Sequence, residues 1–349
     1  MISRALRLAA FAPLLLAGCP GPAATPDVQL AAPPAGQGFQ LASDSFDVPS
    51  GIETQRCYFY QVPDLDHGQP VWVHRVVAAQ NPGSHHLSVF RVKTIVNLAP
   101  TPDGSPVVDG ECFNSGNWAD WPLVTNLQNS TPADDVNDWT LPDGVAHKFM
   151  PGELLMLQIH YVNATTQKTP GRGHGIVNFW TVDASKVTAE LGTVFATDQQ
   201  IRVCPGDVDK TFETTCTFAK TPVTIVGANG HFHSRGRKFE ICSYDKTTGA
   251  VSAPFYTSTQ WDDPPFLQDL AVTIPANGGI DWRCTYDYAR PAAACVSGDG
   301  KNDCVPVTNG CDTSATSSCC INFGGHVEMQ EHCNAFIYYY PKQENASCF

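Results

Sequence analysis

The sequence contains few charged residues, and positive charge is the scarcest. Lysine, arginine, aspartate and glutamate make up 16% of the 349 residues, with 21 basic against 34 acidic residues and a formal net charge of −13. Because nucleic-acid binding needs a basic surface that neutralises phosphates, this balance argues against a nucleic-acid partner.

Motifs of several enzyme classes are also absent. The sequence has no phosphate-cradling glycine loop, no dinucleotide-binding fingerprint and no Ser/His/Asp hydrolase signature. It has no His-Glu-x-x-His pattern either, which weakens the case for a zinc-dependent hydrolase built from its histidines.

Amphipathic helical periodicity is scarce, whereas glycine (28) and proline (27) are plentiful. Short alternating or apolar runs recur between turn residues, at 71–78, 87–92, 154–162, 176–182, 223–226, 238–244 and 336–340. This pattern is typical of β-sandwiches. The length exceeds one typical domain and suits two of about 150 residues. We therefore predict an all-β fold of two tandem antiparallel β-sandwich (jelly-roll-like) domains.

No segment is long and apolar enough for a membrane-spanning helix. The apolar run Leu8–Leu16 is too short to cross a bilayer, and the two arginines before it are typical of an export signal. The run ends in Leu-Ala-Gly-Cys19, which resembles a bacterial lipobox. We predict a signal peptide over 1–19 with lipidation of Cys19, and hence a protein of the bacterial cell envelope (outer membrane or periplasmic face) that contacts the membrane only through its lipid anchor. An ordinary signal peptide that contains a cysteine is the alternative.

The exported part divides into three segments. Residues 20–45 are rich in Pro, Ala and Gly without periodicity, which predicts a flexible linker. We place the N-terminal sandwich at 46–188 and the C-terminal sandwich at 189–349, since histidine motifs fall on both sides of this boundary.

The 14 cysteines also indicate an oxidising compartment. Cys57 and Cys112 are alone in the first half beyond Cys19, and we predict that they form a disulfide. The eleven cysteines from Cys204 onward cannot all pair among themselves, so one is free, bound elsewhere or paired between domains. The Cys-rich stretch at about 284–320 is interpreted as a disulfide-stapled insertion of the C-terminal domain, with a zinc knuckle as the alternative.

Several of the eleven histidines stand in patterns that suit metal ligation. His85 and His86 are adjacent, and both can reach one metal only at a strand start or a β-bulge; Asn81-Pro82-Gly83 supplies such a start. His160 shares one predicted strand face with Met156 and Gln158, and His231-Phe232-His233 directs two imidazoles to the same side.

In chain order these motifs match those of a known family. The motifs are His85-His86, Gln158-Ile159-His160-Tyr161, His231-Phe232-His233-Ser234-Arg235-Gly236, and Glu331-His332-Cys333 before Tyr338-Tyr339-Tyr340-Pro341. Over residues 46–341 the chain resembles the copper type II, ascorbate-dependent monooxygenases, which include the peptidylglycine α-hydroxylating and dopamine β-hydroxylating enzymes.

The resemblance implies two copper ions per chain, one on each sandwich, facing each other across an open cleft. His85, His86 and His160 would hold the electron-transferring copper. His231 and His233, with a third ligand, would hold the catalytic copper, where O2 is activated and a C–H bond is hydroxylated. Ascorbate or a similar reductant would donate one electron at a time.

The third ligand of the second copper departs from the family pattern. Relatives place a methionine between the residues that correspond to Glu331 and Cys333, and His332 stands there in this chain. We favour His332 as the ligand and as the third catalytic residue, with Met329 as the alternative. An all-imidazole site would stabilise Cu(II) relative to Cu(I).

Residues implied to bind substrate depart as well. Peptide-hydroxylating relatives place an arginine where this chain has Asn229, and a tyrosine where it has Phe336. We therefore expect a small organic substrate with O2 as co-substrate, and not a glycine-extended peptide. The predicted function is a copper-dependent monooxygenase. The alternative is a non-catalytic copper-binding or electron-transfer protein of the cell envelope on the same scaffold.

Overall fold

The structure is a computed structural model. It describes residues 26–93, 95, 103–108, 121–128, 136–163, 170–289, 320–325, 327, 330–344 and 348. The signal peptide with Cys19, the predicted disulfide partner Cys112 and the alternative ligand Met329 lie outside the described residues. In the described residues, no helix is long and apolar enough to cross a membrane.

The described residues form β-strands, with a short 3-10 helix at Ala184–Lys186. The strands are β1 (Gly38–Ala42), β2 (Phe46–Val48), β3 (Glu53–Gln61), β4 (Val71–Gln80), β5 (Ser84–Arg91), β6 (Asp103–Val108), β7 (Leu123–Leu127), β8 (Val136–Thr140), β9 (Val145–Phe149), β10 (Leu154–Val162), β11 (Gly171–Gly173), β12 (Gly175–Thr181), β13 (Ala189–Glu190), β14 (Gly192–Thr197), β15 (Arg202–Val203), β16 (Lys210–Ala219), β17 (Val223–His231), β18 (Gly236–Asp245), β19 (Ala250–Ser258), β20 (Val272–Ile274), β21 (Gly278–Tyr286), β22 (Ile321–Asn322) and β23 (Asn334–Tyr340).

The N-terminal half contains two facing sheets. One has the order β1-β12-β4-β9-β13, with β8 also paired to β4, and the other has the order β6-β3-β10-β5-β7. Strand β10 shows why they stack: Leu155, Leu157 and Ile159 point into the core shared by the two sheets, whereas Met156 packs in a different cluster. Burying each such side chain contributes roughly 1.5–3 kcal/mol.

The C-terminal half repeats this arrangement with two four-stranded sheets, β14-β23-β17-β20 and β16-β21-β18-β19. Its core is built around large aromatic side chains such as Phe239, Trp282 and Tyr286. The predicted all-β, antiparallel sandwich fold is therefore confirmed.

A third apolar cluster joins the two halves. It includes Phe90 and Met156 from the five-stranded sheet and Phe195, Phe336 and Tyr338 from β14 and β23. The second face of the five-stranded sheet therefore packs against the sheet that carries β17 and β23, and this contact brings the histidine motifs of the two halves together.

The flexible linker predicted for 20–45 is wrong for the part that the structure describes. Strand β1 pairs with β12 over its whole length, because Phe39 and Leu41 alternate with polar neighbours and are buried. Further upstream, Asp27 accepts hydrogen bonds from Arg172 (2.7 Å) and Asn81 (2.8 Å). These contacts attach the segment to the N-terminal sandwich.

Three disulfides join described residues, all in the C-terminal half: Cys204–Cys320, Cys216–Cys348 and Cys284–Cys333. Cys57 is disulfide-bonded as well. Cys242 is free and buried, which agrees with the odd cysteine count. The ends of the predicted Cys-rich insertion bond to cysteines outside it, and its residues 290–319 lie outside the described residues.

Candidate metal centre

A β-bulge places His85 and His86 on the same side of the sheet. In the β5–β10 pairing, His86 is opposite His160, but the next pair is Ser84 with Tyr161. His85 is therefore the extra residue of β5, which turns its side chain toward the side of His86. The ring centroids of the two histidines are 5.1 Å apart, as the sequence predicts for a bulge.

The turn before the bulge is fixed by its own residues. Ser84 N donates to Asn81 O at 3.1 Å, and Gly83 has φ +86, which disfavours any other residue type. A Cβ at Gly83 would also lie 2.5 Å from the hydroxyl of Tyr161. The Asn81 amide in turn bonds Asp27 and the backbone of Arg172, so the turn is anchored from two directions.

His231 and His233 lie at the end of β17. Their ring centroids are 5.1 Å apart, while Phe232 points the other way and stacks on Phe239 at 5.9 Å. The two imidazoles therefore lie on the same side of the chain, as the period of two predicts. His332, just before β23, lies 4.3 Å from His233 and 5.2 Å from His231, centroid to centroid.

The two groups of histidines form one cluster. The His85 ring lies 5.1 Å from His231 and 5.8 Å from His233, and the His86 ring lies 5.3 Å from His231. The open cleft expected between two separate sites is therefore wrong for this structure, because the interdomain apolar cluster brings β5 and β17 into contact. Six imidazoles belong to the cluster: His85, His86, His160, His231, His233 and His332.

The ring nitrogens group differently from the expectation. Two sets of three have their ligand atoms within 4.8 Å of one another: one is His85, His86 and His231, and the other is His231, His233 and His332. His160 belongs to neither set, although its ring is 5.0 Å from His85. Its Nε2 donates instead to Glu53 Oε1 at 2.7 Å, and His231 takes the third position of the first set.

Several imidazoles are oriented by a hydrogen bond from one nitrogen. His86 Nε2 donates to Gln158 Oε1 at 3.2 Å, and His233 Nδ1 donates to the backbone carbonyl of Gln330 at 2.9 Å. His231 Nδ1 bonds the amide of Gln128 at 2.7 Å. Such partners fix the ring and its tautomer around metal ions.

The second nitrogen is left unpartnered in several of these rings. His85 Nε2, His86 Nδ1 and His231 Nε2 are buried without a hydrogen-bond partner, as are His160 Nδ1 and His332 Nδ1. Buried polar atoms normally have partners. This set of buried, unpaired imidazole nitrogens is what a metal centre requires.

Burial also keeps four of the imidazoles neutral. It lowers the pKa of His85, His86, His231 and His332 well below the usual range, and neighbouring imidazoles add to the effect. A neutral imidazole keeps the lone pair that a metal accepts. Imidazole suits copper and zinc, so the donor set fits either ion.

Two carboxylates support the cluster from outside. Glu331 is fully buried and accepts the backbone N–H groups of His233 (3.0 Å) and Arg235 (2.9 Å); burial raises its pKa to about 8, against those hydrogen bonds. Burial is the largest influence on the pKa of Glu53 and acts to raise it. The hydrogen bond and charge of His160, together with His233 and the backbone N–H of Val327, outweigh burial, and the net pKa is lowered.

Glu53, Gln128 and Gln330 orient imidazoles of the cluster but are not predicted from the sequence. No local motif marks them, since Glu53 lies 107 residues from His160 and Gln128 lies 103 residues from His231. Only Gln158, in the Gln-x-His motif, had a signal in the sequence.

The cluster opens into a cavity of about 490 Å³. Four of its six histidines line the cavity, together with amides, hydroxyls and phenylalanines. Gly325, also in the lining, is exposed to solvent, and Phe90 and Asn126 are buried. The lining therefore extends from buried residues to the protein surface.

Two other histidines are buried away from the cluster. His147 on β9 is buried, and burial lowers its pKa to about 3. His174 is buried beside Ser43, whose hydroxyl lies 3.2 Å from its Nδ1. Both lie in the N-terminal sandwich, and neither belongs to a metal-ligating group of the described residues.

Comparison with known proteins adds little. No family model matches the chain, and no curated protein sequence matches it. Among solved structures, the chain is similar to a chain of broad bean stain virus, with 6% identity and a TM-score of 0.34. The match covers 94% of this chain and 98% of the viral chain. It is also similar to a protein from Eubacterium rectale described as secreted, with 8% identity, a TM-score of 0.20 and coverage of 81% and 68%. Likenesses this weak carry no argument about function.

Proposed function

We propose that the chain is a copper-dependent monooxygenase that hydroxylates a C–H bond of a small organic substrate. O2 is the oxidant, and ascorbate or another one-electron donor supplies electrons. The observation that carries this proposal is the cluster of imidazoles with buried, unpaired nitrogens at the wall of a cavity.

The two sets of three nitrogens support copper binding by these residues. The shared His231 would ligate one ion only, through its unpartnered Nε2, because its Nδ1 already bonds the amide of Gln128. His85 and His86 belong to one set, His233 and His332 to the other, and His231 to both. His160 supports the first set beside His86, where its ring lies 4.9 Å away. His332 would replace the methionine that the resembled family has as third ligand of the second copper. Its ring is in contact with His233.

Bound copper would supply one-electron redox chemistry and reactivity toward O2. The overall reaction balances as R–H + O2 + 2 e⁻ + 2 H⁺ → R–OH + H2O, with two one-electron donations per turnover. The protein orients the imidazoles through Gln128, Gln158 and Glu53, and the cavity positions the substrate next to His231. Orientation of this kind is the protein's main contribution to a metal-assisted reaction.

The direct test is turnover. Protein with two bound coppers is expected to consume O2 in an ascorbate-dependent manner, and His231→Ala is expected to abolish this. Phe212→Leu, at a half-buried position of β16 away from the cluster, is the matched control and is expected to retain it. Zinc retained against a copper challenge would contradict the proposal.

The alternative is a non-catalytic copper-binding or electron-transfer protein. One observation favours it: the second set consists of imidazoles only, a donor set that stabilises Cu(II). Copper binding with no ascorbate-dependent O2 consumption under any substrate tested would select this alternative.

We further propose that the protein is a lipoprotein of the bacterial cell envelope. The disulfides of the C-terminal half are consistent with an oxidising compartment. Metabolic labelling with radioactive palmitate is expected to mark the full chain and not Cys19→Ser. Equal labelling of both would contradict the anchor.

A further inference from the structure

The cavity beside the histidines has a continuous aromatic wall. Phe90 meets Phe195 edge to face at 6.4 Å, Phe195 stacks on Phe336 at 5.2 Å and 27°, and Phe336 lies 6.4 Å from the His231 ring at 31°. The wall therefore runs from the buried end of the cavity to the metal-ligating imidazoles. Flat aromatic ligands gain most from such a surface, because stacked and edge-to-face contacts add to apolar burial.

The polar part of the lining contains amides with unused hydrogen-bonding capacity. Asn334 is 3% exposed and Gln128 is 4% exposed, and each leaves a buried side-chain oxygen without a partner. Both residues line the cavity, and a ligand group that reaches these oxygens would remove the cost of an unpaired buried polar atom. A hydroxyl group suits them best, because it both donates and accepts and so pairs with an amide in either orientation.

The described lining residues offer no cation. None is lysine or arginine, and the one carboxylate, Glu53, already accepts hydrogen bonds from His160 (2.7 Å) and from Val327 N (3.2 Å). An anionic ligand would therefore be buried without an opposite charge of the protein, and an ammonium group would compete with His160 for Glu53. Burial of an unpaired charge is strongly unfavourable.

We propose that this cavity binds an uncharged aromatic compound that carries a hydroxyl group, of one or two rings. A volume of about 490 Å³ falls in the range of small-molecule sites. The inference that such a compound is the substrate rests on the proposed function, whereas its binding requires no copper.

The test is isothermal titration of the metal-free full-length protein with four probes of similar size. 4-Methylphenol is neutral and has a hydrogen-bond donor, whereas 4-methylanisole is neutral and has none. 4-Methylbenzoate is an anion, and 4-methylbenzylamine is a cation. We expect 4-methylphenol to bind about tenfold more tightly than 4-methylanisole, and both charged probes to bind more weakly than 4-methylanisole.

Variants locate the binding. Phe336→Leu, which keeps an apolar side chain, is expected to weaken 4-methylphenol binding about fivefold through loss of aromatic contact, and Asn334→Leu to reduce the preference for 4-methylphenol over 4-methylanisole to about twofold. Phe212→Leu, outside the cavity, is expected to leave both the affinity for 4-methylphenol and the preference over 4-methylanisole unchanged.

Three results would overturn the inference: binding of 4-methylbenzoate as tight as that of 4-methylphenol, no binding of any probe, or binding insensitive to Phe336→Leu. A second measurement distinguishes the ligand proposal from the monooxygenase proposal. It is the copper content of the same preparation after reconstitution. Two coppers without probe binding reject only the ligand class, and probe binding without copper rejects only the monooxygenase.

Discussion

The two groups of histidines are held in place in different ways. His86 and His160 lie within the paired strands β5 and β10, and each bonds a side chain of a neighbouring strand. His233 and His332 lie outside the strands, next to β17 and β23, where Glu331 and the Cys284–Cys333 disulfide hold the chain. The first group therefore depends on the sheet ladder, and the second depends on cross-links between loops.

This difference predicts which perturbations separate the groups. Residues on strands are positioned more accurately than residues on loops, so the second group needs additional restraints to reach similar accuracy. Removing those restraints should affect copper at His233 and His332 while leaving His85 and His86 functional.

The largest expected effect comes from the disulfide next to His332. Cys284→Ala/Cys333→Ala removes a link across 49 residues, which is expected to lower the free energy of unfolding by about 4 kcal/mol and to reduce bound copper from two to one. Urea unfolding and metal content measure the two effects.

The matched control is Cys216→Ala/Cys348→Ala, which removes a link across 132 residues away from the cluster. It should destabilise the protein by a comparable amount and keep both coppers. Equal copper loss in the two double variants would show that general destabilisation, and not the position of His332, is responsible.

Glu331→Gln tests the loop restraint without breaking a covalent bond. The amide keeps one acceptor for the two N–H groups of His233 and Arg235, so one buried donor loses its partner. We expect copper affinity of the second group to fall about 10- to 100-fold, measured by competition with a chromophoric Cu(I) chelator. Glu53→Gln should instead affect the first group, through His160; the same change from both variants would contradict the separation.

His147 tests the effect of a buried histidine outside the cluster on pH stability. Its folded pKa of about 3 lies below the unfolded value of about 6.5. Between these two pH values the unfolded chain binds a proton that the folded chain does not. The free energy of unfolding therefore falls as pH falls over that window, by up to about 1.4 kcal/mol per pH unit. His147→Gln should flatten this slope in urea titrations at pH 4 to 7. The control His67→Asn, at an exposed position, should not change it, and an unaltered slope in both would refute the assignment.

The smallest effect is expected at the attachment of the N-terminal segment. Hydrogen bonds from Arg172, and further from Ser45 and Asn81, outweigh burial and lower the pKa of Asp27. Its contribution to stability is therefore present above the unfolded pKa and lost as pH falls through the folded one. Asp27→Asn should destabilise by about 0.5 kcal/mol at pH 7 and by less at pH 2, because that pH lies below the unfolded pKa of the carboxyl group. A loss of the same size at both pH values would contradict this.

Local patterns in the sequence predict much of the site. The turn Asn81-Pro82-Gly83 and the adjacent histidines indicate the bulge, and the spacing of His231 and His233 indicates a same-side clamp. Both follow from strand geometry over a few residues. The alternation at Phe39 and Leu41 indicates strand β1, but the surrounding residues are rich in proline and alanine and favour a linker instead.

The remaining features depend on contacts between distant residues. The pairs His231 with Gln128 and His160 with Glu53 join strands more than 100 residues apart. The merging of the two histidine groups results from the apolar cluster around Met156 and Phe336. No periodicity or motif in a single sequence specifies how two sandwiches pack against each other.

The contact between the two groups of histidines leads us to propose one contiguous metal centre. Electron paramagnetic resonance of protein loaded with two Cu(II) per chain tests it most directly. Ring contacts such as His85–His231 at 5.1 Å predict magnetically coupled ions, with an integrated signal well below two spins or a half-field transition. Two independent Cu(II) signals that integrate to two spins per chain would contradict a single metal centre.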